Sequence, residues 1–561
     1  MPEVENSAAG GRKTCLNARR AGGKRRILEE NFLSFLYPDQ ASAVSAAEGK
    51  LPNISESVSE EIGLSALLPL KKAPLSSFFT ASPDVIAYRQ AVFSDLSAIP
   101  DLSETLRRIL PMLSDMIELR ALDHDRNTSG ESYLYSITEV ELYIRCVDTL
   151  REGLAPLRPQ MKSAAFSRFT DTVTELSESK YYKDLNRDLS ALASRIQEVK
   201  SITVGVNLDS AMRPVEAGVI SVNQTPFRSG KLLDKILRMS FRNDAMTCIA
   251  SLVPFGKDEN ENRQDALSRA FFGALEEVFR SSVRAWREIV GEYVLEKTDF
   301  LLRILPEIEF ITRASDLIAR LSAKGCALTL PAIAPEAEKC LTATGLYNPD
   351  VALRIEEEIV PNDFAFDDDG RFYILTGPNR GGKSVITCAV GLCQALFQLG
   401  LPVPAKSARI SPADGIYTHF PTGAEDTIDK GRLGEECARL REIFSETTEN
   451  SLILLDESLS STGSYEASFL AAEILAAFGA RRVRGIFSTH LHELAAEVPA
   501  VNERSLSAGG IRFDTLVAGI EEGKRSFLIT RRVPDGKSYA RDIAEKYGLT
   551  FDTLLAEKPG R

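Results

Sequence analysis

A glycine-rich segment in the last third of the chain has the residue types and spacing that bind phosphate groups. Its residues are Gly377, Pro378, Asn379, Arg380, Gly381, Gly382, Lys383 and Ser384. They fit the pattern GxxxxGK[ST], in which backbone N–H groups curl around phosphate oxygens. A strand-like run precedes the segment and a helical run follows it, so the helix N-terminus adds partial positive charge. The alternative, an ordinary glycine-rich turn, is disfavoured by this sequence context.

Two further polar groups follow apolar runs that are typical of buried strands. Asp456 and Glu457 end the run that starts at Ser451, and His490 follows the run that starts at Gly485. Phosphoryl transfer needs a carboxylate near the metal and a group that orients the attacking water. Asp456 suits the first role, and Glu457 suits the second as general base. We expect His490 to sense or stabilise the γ-phosphate; a purely structural hydrogen bond is its alternative role.

Together these groups predict Mg²⁺-dependent hydrolysis of ATP, with ATP and Mg²⁺ as cofactors. We expect Lys383 to reach the β- and γ-phosphates because its ammonium group can neutralise their charge. The Ser384 hydroxyl and Asp456 are the predicted metal ligands, with Asp456 acting directly or through a metal-bound water.

The composition limits the classes of protein to which the chain can belong. Its 561 residues correspond to three or four structural units, and its net charge is −12. Contact with nucleic acid must therefore come from a local basic patch rather than from the whole surface. No apolar run approaches the roughly 18 residues of a membrane span, and the N-terminus lacks the apolar region of a secretory signal. Eight cysteines without a CxxC pair and four histidines argue against a zinc site and favour a cytoplasmic location.

The pattern of apolar residues predicts three regions. Residues 1–58 form a flexible basic tail and linker, with a nucleic-acid arm as the alternative to a solvated terminus. Residues 59–335 form a helical core with a small β insertion near 201–223, and residues 336–561 form an α/β domain. Within the core, residues 266–305 predict a long helix that Pro306 should kink or break. Residues 364–376 predict two strands around an Asp-Gly hairpin turn.

A cluster of basic residues with few opposing acids lies in the helical core. Lys231, Lys235, Arg238 and Arg242 have spacings that place them on one helix face, and we call them the basic stripe. Such a stripe can neutralise several phosphates of DNA. A solvated helix face is the alternative, and the sequence does not separate the two.

Three segments resemble the ABC-type ATPase of the MutS family of DNA mismatch-repair proteins. Residues 376–384, TGPNRGGKS, are close to the family's phosphate loop. Residues 454–467, LLDESLSSTGSYEA, resemble its Walker B segment, and residues 488–494, STHLHEL, resemble its histidine motif. The segment from Ser538 to Leu549 resembles a further family segment near the C-terminus. The resemblance implies a multidomain protein, with an α-helical lever- and clamp-like region followed by an α/β ABC-type P-loop ATPase domain.

The chain also departs from the family pattern. Its layout resembles that of short bacterial members of the family that lack the mismatch-recognition domain. A signature loop that acts in trans is expected at Gly431, Arg432, Leu433 and Gly434. Leu433 and Gly434 stand where the family usually has Ser-Thr, and the leucine side chain cannot donate a hydrogen bond to phosphate. Backbone N–H groups at the start of the following helix could still do so.

The resemblance implies an ATP-dependent DNA-binding protein of the MutS type, acting in mismatch repair or in related sensing of DNA damage and DNA structure. ATP would lie between two ATPase domains of a homodimer, and its hydrolysis would drive a dimeric clamp. The expected partner is double-stranded DNA, recognised by structure rather than by sequence, and no membrane is expected. The main alternative is an ABC-type switch ATPase that acts on a protein or ribosome, which the negative net charge favours. A transporter ATPase subunit is disfavoured because such domains do not normally follow a long region of soluble helix.

Overall fold

The computed structural model describes residues 32–47, 52–124, 130–197, 200–208, 210–212, 214–226, 228–229, 247–248, 299–378, 380–420, 432–521, 524–534 and 549–556. The basic stripe, Asn379 and Gly431 lie outside these ranges. Among the helices so described, none is long and apolar enough to cross a membrane.

The chain forms two compact units, and each is assembled from separate stretches of sequence. The first unit comprises residues 1–103, 161–166 and 306–561, and the second comprises residues 104–160 and 167–305. The division of the sequence into residues 1–58, 59–335 and 336–561 stays a prediction.

The described part of the chain before residue 200 is mainly helical, as the spacing of its apolar residues predicts. Buried positions such as Leu106, Ile109 and Leu113 recur every three or four residues and give their helix one apolar face. The α-helices are α1 (Gln40–Ala47), α2 (Glu56–Glu61), α3 (Leu64–Leu67), α4 (Pro83–Ala98), α5 (Pro100–His124), α6 (Gly130–Leu154), α7 (Ala164–Glu178) and α8 (Lys180–Gln197). Short 3₁₀ helices span Leu75–Phe78 and Ala155–Gln160.

The β insertion predicted near residues 201–223 is confirmed. Strands β1 (Ser201–Leu208) and β2 (Pro214–Asn223) pair antiparallel, with Ser201 opposite Asn223. Strands β3 (Arg228–Ser229) and β4 (Thr247–Cys248) form a short parallel pair. Residues 266–298 of the predicted long helix lie outside the described residues. A break near Pro306 is confirmed, because α9 (Asp299–Arg303) ends just before α10 (Leu305–Ala323) begins. Pro306 lies in the first turn of α10, where proline is tolerated since its missing N–H would have no helical partner.

A six-stranded sheet in the first unit carries most of the predicted chemistry. Its order is β10-β11-β12-β8-β13-β14. The strands are β8 (Phe372–Thr376), β10 (Ile416–His419), β11 (Leu452–Asp456), β12 (Arg484–Ser488), β13 (Phe513–Glu521) and β14 (Lys524–Arg531). All neighbours pair parallel except β13 and β14, which pair antiparallel. The five parallel strands, β8, β10, β11, β12 and β13, therefore bring the residues that follow them to one edge of the sheet.

A second, four-stranded sheet corrects one prediction. It has the order β5-β9-β6-β7 and comprises β5 (Ala332–Ile333), β6 (Leu341–Leu346), β7 (Asn362–Phe366) and β9 (Ser407–Ile410). The predicted hairpin over residues 364–376 is wrong in its pairing, because β7 belongs to this sheet whereas β8 belongs to the six-stranded one. The turn itself is present, with an isolated bridge between Asp367 and Gly370. Each strand gains more by packing in its own sheet than by pairing with its neighbour in sequence.

Helices cover the six-stranded sheet and complete its core. They are α12 (Lys383–Gln398), α13 (Arg432–Glu446), α14 (Ser464–Ala480), α15 (His492–Ala496) and α16 (Val498–Ser507). The other helical segments of this region are α11 (Pro349–Arg354), α17 (Phe551–Ala556) and a 3₁₀ turn at Glu336–Glu338. Phe372, Ile453 and Phe487 from three strands pack in one apolar cluster with Phe478 of α14. Strands β8, β11 and β12 are buried along their whole length, and their sequences are therefore mainly apolar.

Candidate functional site

The glycine-rich segment lies between β8 and α12, as its sequence context predicts. Helix α12 begins at Lys383 and is preceded by Gly382 in the left-handed region, with a φ of 93°. The Gly381 amide donates to the Pro378 carbonyl over 3.0 Å, so the segment folds back on itself before the helix starts. Gly377 has a φ of 139°, and a Cβ at this position would lie 2.7 Å from Cβ of Ala518. Glycine is thus required here both by the backbone conformation and by the neighbouring strand.

The Lys383 side chain is buried within the curl of this segment. Its ammonium donates to the Gly377 carbonyl over 3.2 Å and to the Pro378 carbonyl over 3.3 Å. Burial lowers the pKa of Lys383, while the negative charges of Glu457 and Asp456 act to raise it. A buried cation with two long hydrogen bonds gains from a further anionic partner. Ser384 follows in the first turn of the helix and is exposed.

Asp456 lies at the end of β11, where it is buried opposite Ser488 of β12. Its Oδ1 atom is buried, and it has no hydrogen-bond partner among the described residues. The Ser488 Oγ atom on β12 and the Thr418 Oγ1 atom on β10 are also buried without a partner among the described residues. These two strands lie on either side of β11. Buried oxygens without partners are uncommon in native structures, so these atoms on three adjacent strands are candidates for contact with a ligand.

These residues fit a magnesium ion. Mg²⁺ prefers oxygen ligands and usually binds through one or two protein groups together with waters and substrate phosphates. The unpartnered Asp456 oxygen and the Ser384 hydroxyl supply such groups beside the glycine-rich segment. No cluster of three or more His, Cys, Asp or Glu side chains that could hold a metal was found in the part of the chain that the structure describes.

Glu457 follows Asp456 in an unusual backbone conformation. Its φ is 46°, in the left-handed region that residues with a Cβ seldom adopt. Its amide donates to the Ser488 carbonyl over 2.8 Å, which ties the residue to the end of β12. The side chain is half-buried, so it can face both the protein and a solvent molecule. Its role as general base stays a prediction.

His490 lies two residues beyond the end of β12 and is exposed. The intervening Thr489 is held in place, since its amide donates to the Leu375 carbonyl over 2.9 Å. Its Oγ1 atom accepts from the Leu491 amide over 3.0 Å. These contacts bring the histidine motif to the edge where the glycine-rich segment begins, and the role of His490 stays a prediction.

The predicted signature loop lies at the start of α13. The helix begins at Arg432, so Leu433 and Gly434 occupy its first turn. Leu433 is partly buried and packs against the apolar cluster of the six-stranded sheet. Its side chain therefore stabilises the helix start within its own subunit. Contact of this loop with a partner's nucleotide stays a prediction.

Sequence reasoning missed a buried hydrogen-bonded pair of side chains next to the turn that carries Glu457. The Nδ1 atom of His419, at the end of β10, lies 2.7 Å from Oγ of Ser458. His419 is 4% exposed, and burial lowers its pKa to about 4. The signal available was a histidine ending an apolar run, which is the same signal that drew attention to His490.

The fold is a helical region followed by mixed α/β sheets, with phosphate- and metal-binding residue types gathered at one sheet edge. The family model described as MutS domain V matches residues 373–550. The family model described as MutS2 N-terminal domain matches residues 81–324. The matches thus fall on the helical region and on the six-stranded sheet.

Curated relatives agree with these matches. DNA mismatch repair protein MutS 1 of Haloarcula marismortui is 36% identical over 201 residues, which cover 34% of this chain and 21% of that protein. Endonuclease MutS2 of Thermus thermophilus is 33% identical over 199 residues, which cover 35% of this chain and 25% of that protein. DNA mismatch repair protein MutS of Fervidobacterium nodosum is 33% identical over 207 residues, which cover 36% of this chain and 24% of that protein. These findings confirm the predicted resemblance to the MutS family, although the chain matches only about a quarter or less of each relative's length.

Proposed function

We propose that the chain is an ATP-dependent DNA-binding protein of the MutS type, which hydrolyses ATP with Mg²⁺. The observation that carries the proposal is the meeting of the glycine-rich segment, Asp456 and Glu457 at one edge of the six-stranded sheet, within the region that matches MutS domain V. These residue types supply a phosphate cradle, a metal ligand and a base.

Each residue has a distinct task in this proposal. Lys383 and the backbone amides at the start of α12 hold the phosphates, and Ser384 and Asp456 hold the metal. When bound there, Mg²⁺ would supply positive charge to the phosphate oxygens. Glu457 accepts a proton from the attacking water, and its tie to the Ser488 carbonyl fixes the direction from which it acts. His490 is the proposed contact to the γ-phosphate.

The composite site is proposed to need two copies of the chain. The signature loop of one copy would face the glycine-rich segment of the other, so that ATP is enclosed by a homodimer. Because Leu433 packs inward, the contact from this loop would come from backbone N–H groups of the first helical turn. Nucleotide-driven dimerisation would then move the helical region as a clamp on double-stranded DNA.

A DNA-binding assay at several salt concentrations tests the DNA part of the proposal. We expect wild-type protein to bind duplex DNA at low salt, with affinity that falls steeply as salt rises because counterions are released. Changing Lys231, Lys235, Arg238 and Arg242 together to Glu should abolish this binding and leave basal ATP hydrolysis nearly unchanged.

Two outcomes would contradict that expectation. An unchanged affinity in the fourfold variant would remove the basic stripe as the DNA contact. Hydrolysis of ATP by a wild type that binds no DNA at low salt would favour the second candidate, a switch ATPase acting on a protein or ribosome. The net charge of −12 is the observation that supports this candidate.

A further inference from the structure

The turn that carries Glu457 is held in a costly backbone conformation on both sides of Ser458. Glu457 has a φ of 46° and Leu459 has a φ of 65°, so two residues with side chains lie in the left-handed region. Residues with a Cβ adopt this region only where their surroundings impose it. The contacts of the three residues in this turn therefore determine where the Glu457 carboxylate lies.

Two of those contacts are readily identified. The Glu457 amide donates to the Ser488 carbonyl, which fixes the first residue to β12. The Leu459 side chain is 1% exposed and belongs to the apolar cluster of the sheet, which fixes the third residue. Neither contact holds the middle residue, Ser458.

His419 holds Ser458 from the neighbouring strand. The His419 Nδ1 atom lies 2.7 Å from Ser458 Oγ, and Ser458 Oγ donates to the His419 carbonyl over 3.2 Å. With the hydroxyl proton directed to that carbonyl, Nδ1 carries the proton and donates to Oγ. The side chain and the main chain of His419 thus both hydrogen-bond to the Ser458 hydroxyl. His419 and Ser458 are each 4% exposed.

We infer that His419 is a positioning residue for ATP hydrolysis, which acts through Ser458 to hold the Glu457 carboxylate in line with the attacking water. The inference rests on the proposed function and extends it to a second histidine, distinct from His490. It assigns a role in the reaction to His419 at the end of β10, which lies outside the three sequence motifs.

The surroundings keep this pair in one protonation state near neutral pH. Burial and the positive charge of Arg439 lower the pKa of His419, while Glu61 acts to raise it. Arg439 and Glu61 are themselves paired over 2.6 Å, so much of their effect on the ring cancels. The neutral ring leaves Nδ1 free to serve as a fixed donor to Ser458.

Steady-state ATP hydrolysis by His419→Ala and Ser458→Ala tests the inference. We expect kcat to fall about 10- to 100-fold in each variant, because a misplacement of about 1 Å can cost that much. KM for ATP and the affinity for ATP should stay within about threefold, since phosphate binding uses other residues. The double variant should lose no more than the single ones, and His419→Asn, which keeps a donor near Nδ1, should recover most of the rate.

Tyr417→Phe is the matched control. It removes a hydroxyl from the same strand that contacts Asn53 and the Glu446 carbonyl instead of the turn. We expect its kcat to stay within twofold of the wild type. A structural defect would raise KM for ATP and lower the folded fraction as well as kcat. A positioning role lowers kcat alone.

The outcomes separate this inference from the proposed function. Wild-type kcat in both single alanine variants, or a double variant whose loss is the product of the two, would overturn the role of His419. A wild type that hydrolyses no ATP would refute the proposed function instead. In that case, unchanged hydrogen exchange at the Glu457 amide in Ser458→Ala would by itself overturn the positioning role.

Discussion

The two ends of strand β12 bury polar groups in opposite ways. At its amino end, the Arg484 guanidinium is 1% exposed and donates to carbonyl or amide oxygens of Cys340, Gln394, Ser411 and Pro412. Nε is the one atom of this group without a partner among the described residues. At its carboxyl end, Ser488 Oγ and the neighbouring Asp456 Oδ1 have no such partners.

The difference agrees with the proposed function, in which the carboxyl end of the strand binds a ligand and the amino end stabilises the fold. Arg484 has its hydrogen-bond acceptors supplied by the fold itself. Burial lowers its pKa to about 10, while the negative charges of Asp414 and Glu336 act to raise it. Lys383, near the carboxyl end, makes two long hydrogen bonds among the described residues, and the carboxylates of Glu457 and Asp456 act on its charge. A buried cation with most of its donors paired stabilises a fold, whereas one with few and long hydrogen bonds is suited to a charged ligand.

The largest expected effect is at the carboxyl end. Glu457→Gln should lower kcat about 100- to 10,000-fold, because it removes the base that activates water. ATP binding should persist, since Lys383 and the glycine-rich segment remain, and the ATP-bound variant should sediment as a dimer. Single-turnover hydrolysis and sedimentation measure the two results.

Glu473→Gln supplies the control for that experiment, because it makes the same substitution in an exposed ion pair with Arg504. Its hydrolysis should match the wild type. Wild-type turnover by Glu457→Gln would show that the base has been misassigned. A fully active protein that stays monomeric with every nucleotide would remove the homodimer from the proposal.

A smaller effect, and of a different kind, is expected at the amino end. Arg484→Met should lower the free energy of unfolding by about 2 to 4 kcal/mol, because several buried carbonyl groups lose their donor. Activity per folded molecule should change little, since the site lies at the other end of the strand. Denaturant unfolding followed by circular dichroism measures the first quantity.

Arg504→Met is the comparison variant, because its ion pair is half-exposed and should be worth less than about 1 kcal/mol. Equal stability losses in the two arginine variants would show that burial of Arg484 adds nothing. Loss of kcat in folded Arg484→Met would erase the distinction between the two ends of β12.

The smallest effect concerns pH. The folded-state pKa of His419 is about 4, below the usual value of 6.5, so the folded state favours the neutral ring. Its contribution to stability is complete above pH 6.5 and is lost as the pH falls towards 4. Buried Glu307, with its pKa raised to about 7, acts in the opposite sense and loses stability as the pH rises from about 4.5 to 7.

Thermal unfolding between pH 4 and 7 separates these two groups. His419→Asn should flatten the loss of stability at acid pH, whereas Glu307→Gln should steepen it by removing the opposing contribution. Identical pH profiles for wild type and His419→Asn would contradict the shifted pKa of this histidine.

Sequence predicted the parts of the site that depend on local order along the chain. The glycine-rich segment, Asp456 and Glu457 each follow a buried strand, and parallel strands bring such positions to one edge. The pairing of His419 with Ser458 could not be predicted, because the two residues are 39 positions apart and meet only through sheet order.

The same limit explains the error over residues 364–376. An Asp-Gly turn between apolar runs predicts a hairpin from local geometry, and the turn does form at Asp367–Gly370. Which sheet each strand joins is decided by distant partners, here β6 for the first strand and β12 and β13 for the second. Local sequence patterns therefore predict the strands and turns, whereas tertiary packing decides which sheet each strand joins.

The assembly of the first unit from both ends of the chain has a consequence for its synthesis. The Gln398 side chain donates to the Thr80 carbonyl across 318 residues of sequence, and Asn53 bridges to Gly415. During translation at about 5 to 20 residues per second, the early segment therefore waits roughly 15 to 65 seconds for its partners to leave the ribosome. Throughout that interval its apolar side chains, such as Leu64 and Phe79, have no completed core in which to pack. The nascent chain is thus exposed to chaperone capture and to aggregation until its last third has been made.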